Sequence, residues 1–141
     1  MAMDEKYYDL QNRIDANFEQ QSGLNAEIEE ADEKIRRLRK ARDKIDETKD
    51  IVQIKRAMLQ NMDYCLYGKW TGDTAEKFTE YCSKGELFRS YNHYYHVLGG
   101  IQDKIDEAIQ SLQTEKNEKQ GMINDLVNNR IMLQRELQYH K

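Results

Sequence analysis

The 141-residue chain contains no proline, only seven glycines and two cysteines. An all-β fold needs glycine and proline at its turns, so this scarcity favours helices. Two cysteines in a chain of this length do not make a disulfide framework. No apolar run approaches the roughly 20 residues of a membrane span, and residues 1–6 lack the apolar core of a signal peptide. We therefore expect a cytoplasmic helical protein without membrane insertion.

The charge balance excludes a second class of proteins. The chain has 22 basic and 26 acidic residues and a net charge of −4, which argues against a general nucleic-acid binder. Charged residues make up 34% of the sequence, so too few apolar residues remain for one large core. The basic run between Lys34 and Lys44 is interleaved with acids, and we interpret it as the solvated flank of a helix rather than as an RNA, DNA or lipid surface.

Apolar residues recur at alternating steps of three and four in both halves of the chain. This is the heptad pattern of a coiled-coil seam. In the first half the predicted seam positions are Leu10, Ile14, Asn17, Gln21, Leu24, Ile28, Ala31, Ile35, Leu38, Arg42, Ile45, Lys49 and Val52. In the second half they are Leu98, Ile101, Ile105, Ala108, Leu112, Glu115, Lys119, Met122, Leu126, Asn129 and Leu133. The pattern predicts an all-α fold, in which residues 1–141 form one elongated antiparallel hairpin of two long coiled-coil-like helices.

The strongest break between the two seams is at Trp70-Thr71-Gly72. Gly68 can end the first helix near Tyr67 by adopting a left-handed conformation. Asp73 and Glu76 have the spacing of a capping box that opens the next helix, and Thr71 is the alternative N-cap. If the chain folds back at this turn, the residue numbers of two facing positions add up to about 140. Polar seam positions of one helix then face polar seam positions of the other, which supports the hairpin.

Two further points in the second half are weak for a helix. Ser83–Gly85 is a second capping pattern with a glycine inside it, and we expect a kink or a break there. Gly99-Gly100 costs about 2 kcal/mol of helix propensity relative to alanine. A helix held straight by packing and a hinge both remain open at that pair.

No motif for catalysis or metal binding stands out. Phosphate loops, nucleophile elbows and His-Glu-x-x-His are absent from the sequence, so we expect no enzyme and no cofactor. Cys65, Cys82, His93 and His96 contain metal-ligand types, but the cysteines are single and not a Cys-x-x-Cys pair. Free thiols and histidines beside aromatic rings are the favoured interpretation.

Aromatic residues are concentrated around the turn, where nine of the thirteen fall between Tyr64 and Tyr95. A two-helix hairpin cannot bury them all, and outward aromatic side chains are typical of partner-binding patches. The alternative is a local aromatic core that closes the end of the hairpin. The predicted partner-binding residues are Tyr81, Phe88, Tyr91, Tyr94 and Tyr95 near the turn, with Leu126 and Leu133 in the distal seam.

The turn carries a family resemblance. Trp70-Thr71-Gly72, followed by Ala75 and Phe78, resembles the WXG family of helical hairpins that the type VII secretion system exports. The long heptad-rich first helix resembles the branch of small accessory proteins that accompany LXG-domain toxins in Gram-positive bacteria. The resemblance implies a chaperone-like partner that binds the helical N-terminal domain of such a toxin. It leaves open whether a second small helical protein joins the complex and whether this chain is exported with the toxin.

One element of the family pattern is missing. The family's export signal has Asp or Glu four residues after Tyr or Phe, and no Tyr or Phe here meets that condition. We therefore expect the toxin partner to supply the signal, or this protein to remain behind. The competing hypothesis is a structural coiled coil that forms a homodimer and has no secreted client.

Overall fold

The computed structural model describes residues 2–61 and 72–139, with the side chains of residues 5–61, 72–82 and 84–139. Within these residues three helices follow in order: α1 (Ala2–Gln60), α2 (Asp73–Ser83) and α3 (Glu86–Tyr139). These residues contain no strand. The all-α helical hairpin predicted from the heptads is confirmed, with α1 and α3 as its long helices. Trp70 and the predicted helix end at Tyr67 lie outside the described residues.

The predicted seam of α1 is confirmed at every position. All thirteen residues from Leu10 to Val52 are buried or half-buried, and the pattern continues through Arg56 to Leu59. The seam is narrow, because most residues between its members are exposed. A helix with such a thin apolar stripe is stabilised mainly by the helix it packs against.

The predicted seam of α3 is wrong at the four positions that are exposed, which are Ile101, Glu115, Met122 and Asn129; its other seven positions are buried or half-buried. Its inward-facing residues are Leu98, Gln102, Ile105, Ile109, Leu112, Lys116, Lys119, Ile123, Leu126, Arg130, Leu133 and Leu137. Ile101 and Met122, which the heptad assignment placed in the seam, are 42% and 55% exposed. The residues that follow them, Gln102 and Ile123, face inward instead. Hydropathy favoured Ile101 over Gln102, whereas in the structure Gln102 is the half-buried residue and its side-chain amide bonds across to α1.

The chain divides into two units. Unit 1 consists of Met1–Arg37 and Ile109–Lys141, and unit 2 is Leu38–Ala108. In unit 1 the first part of α1 pairs antiparallel with the last part of α3. In unit 2 the last part of α1 pairs antiparallel with the first part of α3, and α2 belongs to the same unit.

The register between the helices differs from a fold centred on Trp70. That fold would place Arg42 opposite Leu98, but Arg42 pairs with Asp106, eight residues further along α3. In unit 1, Lys119 reaches Glu27 rather than a position level with Gln21. The register follows the helix ends: α1 stops at Gln60 and α3 starts at Glu86, so their midpoint is Asp73.

The start of α2 depends on a glycine. Gly72 is the N-cap residue and has φ 108° and ψ 176°, a backbone conformation that favours glycine. The amide of Glu76 donates to the carbonyl oxygen of Gly72 over 3.0 Å. The expected capping box of Asp73 is wrong by one residue, because Asp73 is already helical and the cap has no side-chain hydrogen bond.

The expected break before α3 is confirmed at Lys84–Gly85. The amides of both residues donate to the carbonyl oxygen of Glu80, over 2.9 and 2.8 Å. A Cβ atom on Gly85 would lie 2.8 Å from the Cα of Tyr81, so only glycine fits without a shift of the backbone. By contrast, α3 runs without interruption through Gly99-Gly100.

Candidate partner-binding surface

Polar bonds join α1 to α3 in unit 2. Lys49 Nζ donates to Gln102 Oε1 over 3.0 Å, and the amide of Gln102 donates to Asp46. Arg42 Nη1 bonds Asp106 Oδ1 at 2.8 Å, and this carboxylate raises the pKa of the guanidinium above its usual value. These exposed contacts fix orientation more than they add stability.

Two cations of α1 lie close to the ring of Tyr95. Lys49 Nζ lies 4.9 Å and Arg56 Cζ 4.6 Å from the centroid of its ring, within the range of cation–π attraction. Arg56 also bonds Asn92 Oδ1 over 2.7 Å. Tyr95 therefore takes part in contacts within unit 2 itself, and its ring is only half-exposed.

The other predicted aromatic residues fall into two groups. Phe78, Tyr81 and Tyr94 are exposed, whereas Phe88 and Tyr91 are half-buried. Of the remaining turn residues, Ala75 is buried in unit 2.

Leu126 and Leu133 help to form an open groove on unit 1. The groove has a volume of about 600 Å³ and lies between α1 and α3. Its walls carry Ala16 on α1 and Met132 on α3, and a neighbouring hollow continues it past Gly23 and Met122. Small residues on one side and flexible methionines on the other leave room for side chains of another helix.

The heptad pattern did not identify the residues that form the walls of the groove, but all of them occupy the same position relative to the seam. Each wall residue immediately precedes a seam residue: Arg13, Ala16, Gln20, Gly23 and Glu27 on α1, and Met122, Asp125, Asn129, Met132 and Glu136 on α3. Four of these ten wall residues are small or methionine, namely Ala16, Gly23, Met122 and Met132, and the other six are polar or charged. This arrangement can be read from the sequence only after the seam of α3 is corrected.

Ion pairs secure unit 1 around this groove. Lys116 Nζ lies 2.6 Å from Asp32 Oδ1, and Lys119 Nζ lies 2.7 Å from Glu115 Oε1 and 3.5 Å from Glu27 Oε2. The hydrogen bond to Lys119 lowers the pKa of Glu115, and the same bond raises the pKa of Lys119. Lys116 and Lys119 of the seam are thus paired with acidic residues. These pairs hold α1 and α3 together beside the open groove.

The sequence matches a known protein family over most of its length. The model of the YwqH-like family matches residues 8–131, which include most of both long helices and the whole turn. The chain belongs to the YwqH-like family. No curated protein and no solved structure shows significant similarity to it.

Membrane insertion and metal binding can also be considered for this YwqH-like chain. In the described ranges no helix is long and apolar enough to cross a membrane. Residues 2–61 and 72–139 also contain no cluster of metal-ligating side chains. Of the four residues considered as ligands, Cys82 is buried, His93 and His96 are exposed, and Cys65 lies outside the described part.

Proposed function

We propose that this protein is a chaperone-like helical partner that binds the helical N-terminal domain of an LXG-type toxin for type VII secretion. Membership of the YwqH-like family supports the proposal, because these proteins are associated with LXG toxins. The observation that carries it is the open apolar groove of unit 1, which contains the predicted partner-binding residues Leu126 and Leu133.

The mechanism is completion of a helical bundle. Two helices with narrow seams bury little apolar surface, so each unit is marginally stable alone. Helices of the toxin domain would fill the groove and form a three- or four-helix bundle. Binding would then stabilise both proteins, because each covers apolar surface that the other leaves open. In this scheme the toxin supplies the export signal that the present sequence lacks.

Co-expression with an LXG domain encoded beside this gene tests the proposal. We expect a complex of fixed stoichiometry by size-exclusion chromatography with light scattering. The C-terminal toxin domain of the same protein is the control and is expected to elute separately. If the LXG domain also elutes separately, while this chain forms a homodimer that persists on dilution, the proposal is wrong and the self-associating coiled coil is favoured.

A matched pair of neighbouring substitutions tests the groove. Met132 lines the groove and is 66% exposed, whereas Ile131 is 37% exposed and follows a seam residue instead of preceding one. We expect Met132→Glu to weaken the complex at least about tenfold and Ile131→Glu to leave it nearly unchanged. Equal losses would show that the groove is not the binding surface.

A further inference from the structure

Unit 2 exposes a second set of large apolar side chains. Ile51 and Met58 on α1 are 55% and 63% exposed, and on α3 they are matched by Tyr94, Val97 and Ile101, each above 40%. Their spacings of seven residues on α1, and of three and four on α3, keep each set on one side of its helix.

The two sets lie on the same broad face of unit 2. Every member immediately precedes an inward-facing residue: Ile51 precedes Val52, Met58 precedes Leu59, Tyr94 precedes Tyr95, Val97 precedes Leu98 and Ile101 precedes Gln102. Two antiparallel helices are related by a twofold axis perpendicular to their plane, so positions preceding the seam share a face. The groove of unit 1 obeys the same relation, since its walls come from the preceding positions of both helices.

Charge is divided between the two faces of unit 2. Lys44, Lys55 and Lys104 are exposed, and each also precedes an inward-facing residue. None of the three ammonium groups forms an ion pair within the described residues. Five aspartates follow inward-facing residues and therefore lie on the opposite face: Asp43, Asp46, Asp50, Asp103 and Asp106. One face is thus apolar with unpaired lysines, and the other carries these five aspartates against two arginines, Arg39 and Arg89.

We propose that the lysine-flanked face docks one amphipathic helix whose apolar stripe is bordered by aspartate and glutamate. This face consists of Lys44, Ile51, Lys55, Met58, Tyr94, Val97, Ile101 and Lys104. Apolar side chains supply the buried area, and the lysines select acidic neighbours and speed association. A second copy that docked through the same face would set lysine against lysine. The inference rests on the proposed function, because the acidic helix would belong to the helical partner.

Two synthetic helical peptides test the proposal with the full chain. Both carry the same apolar heptad stripe, bordered by Glu in one peptide and by Lys in the other. We expect the Glu peptide to bind at least about tenfold more tightly in fluorescence anisotropy at low salt, and the difference to shrink at high salt. The chain has a net charge of −4, so overall charge alone favours the Lys peptide. Equal binding, or preference for the Lys peptide, overturns the proposal.

Matched variants locate the binding to the face. Lys55→Glu with Lys104→Glu should abolish the preference for the Glu peptide. Arg39→Glu with Arg89→Glu makes the same charge change at exposed positions on the same two helices, but after inward-facing residues, and should retain it. If both double variants lose the preference, the attraction is not local to the face and the proposal is wrong.

A pair of isoleucines tests the apolar part. Ile51 lies on the face, whereas Ile54 is 61% exposed but does not precede a seam residue. Ile51→Ser should weaken binding of the Glu peptide and Ile54→Ser should not, with circular dichroism confirming that both variants remain folded. Equal effects overturn the proposal, as does self-association that Ile51→Ser abolishes.

The same variants separate this inference from the proposed function. If the Glu peptide binds through the face and the LXG domain does not bind, the face is supported and the LXG assignment is wrong. If the LXG domain binds and neither the peptides nor the variants discriminate, the assignment is supported and the docking face is wrong.

Discussion

Asn17 Nδ2 donates a hydrogen bond of 2.8 Å to the main-chain carbonyl oxygen of Leu126 across unit 1. Asn17 is the buried polar residue of the seam, and Gln21 Nε2 in turn donates to its Oδ1 over 2.6 Å. A buried asparagine in a coiled-coil seam favours the alignment that satisfies its amide and disfavours others. Asn17 therefore helps to specify how α1 and α3 align in unit 1.

Replacing Asn17 by aspartate should destabilise the protein. The carboxylate keeps the shape of the side chain but has no N–H to donate, and it sets a buried charge against a carbonyl oxygen. We expect Asn17→Asp to lower the free energy of unfolding by about 1–3 kcal/mol at neutral pH, measured by urea denaturation. Asn12→Asp, at an exposed position on the same helix, is the control and should have little effect. A similar loss in both variants would contradict the role of Asn17.

Adjacent substitutions in α3 test the corrected seam. Ile123 is 7% exposed, and Met122, which the heptads placed inside, is 55% exposed. We expect Ile123→Ala to cost about 2–4 kcal/mol of unfolding free energy, because it removes buried methyl groups and leaves a cavity. Met122→Ala should change stability by about 0.5 kcal/mol or less. If denaturation curves showed a larger loss of stability for Met122→Ala than for Ile123→Ala, the original heptad assignment would be correct.

The backbone conformation of Gly72 predicts opposite outcomes for two glycine substitutions. Nothing lies within 4 Å of a Cβ atom at Gly72 or Gly121, so neither substitution causes a clash. Gly72→Ala should cost about 1–3 kcal/mol, because its φ of 108° strains any residue with a Cβ atom. Gly121→Ala lies within α3 and should stabilise the protein by about 0.5–1 kcal/mol. Thermal unfolding followed by circular dichroism gives both values, and stabilisation by Gly72→Ala would refute the strained cap.

Glu33 should titrate far below its usual range. Arg36 donates to this carboxylate over 2.6 and 2.9 Å and Arg37 over 3.1 Å, which lowers the pKa of Glu33 from 4.5 to about 2. Because the folded-state pKa is the lower one, the stabilisation is complete above pH 4.5 and is lost as pH falls towards 2. Arg36→Gln should raise the pKa of Glu33 towards 4.5 in a carboxyl NMR titration. Arg39→Gln serves as the control and should leave it unchanged.

The sequence predicted α1 better than α3 for a physical reason. In α1 the residues next to the seam are mostly polar, so apolar spacing alone identifies the inward face. In α3, Ile101 and Met122 stand beside Gln102 and Ile123, and an exposed apolar residue is a stronger periodic signal than a half-buried glutamine. The bond from Lys49 to Gln102 decides the position, and no single-helix pattern contains that information.

For a related reason, the heptad pattern could not predict the register of the helices or the binding surface. Heptads repeat, so sliding the helices past each other by whole repeats preserves the apolar match. The ends of α1 and α3 and the break at Lys84–Gly85 set the alignment instead. Exposed surfaces such as the groove around Met132 can be recognised only once the inward-facing residue of each turn is known.

The burial of Cys82 supplies a reporter of motion in α2. Its side chain is only 2% exposed, so a thiol reagent reaches the sulfur only when this short helix lifts away. In a Cys65→Ser background, the alkylation rate would report how often such openings occur in the population. A bound partner that holds α2 in place would slow this alkylation. The reactivity of Cys82 would therefore report whether the partner is bound.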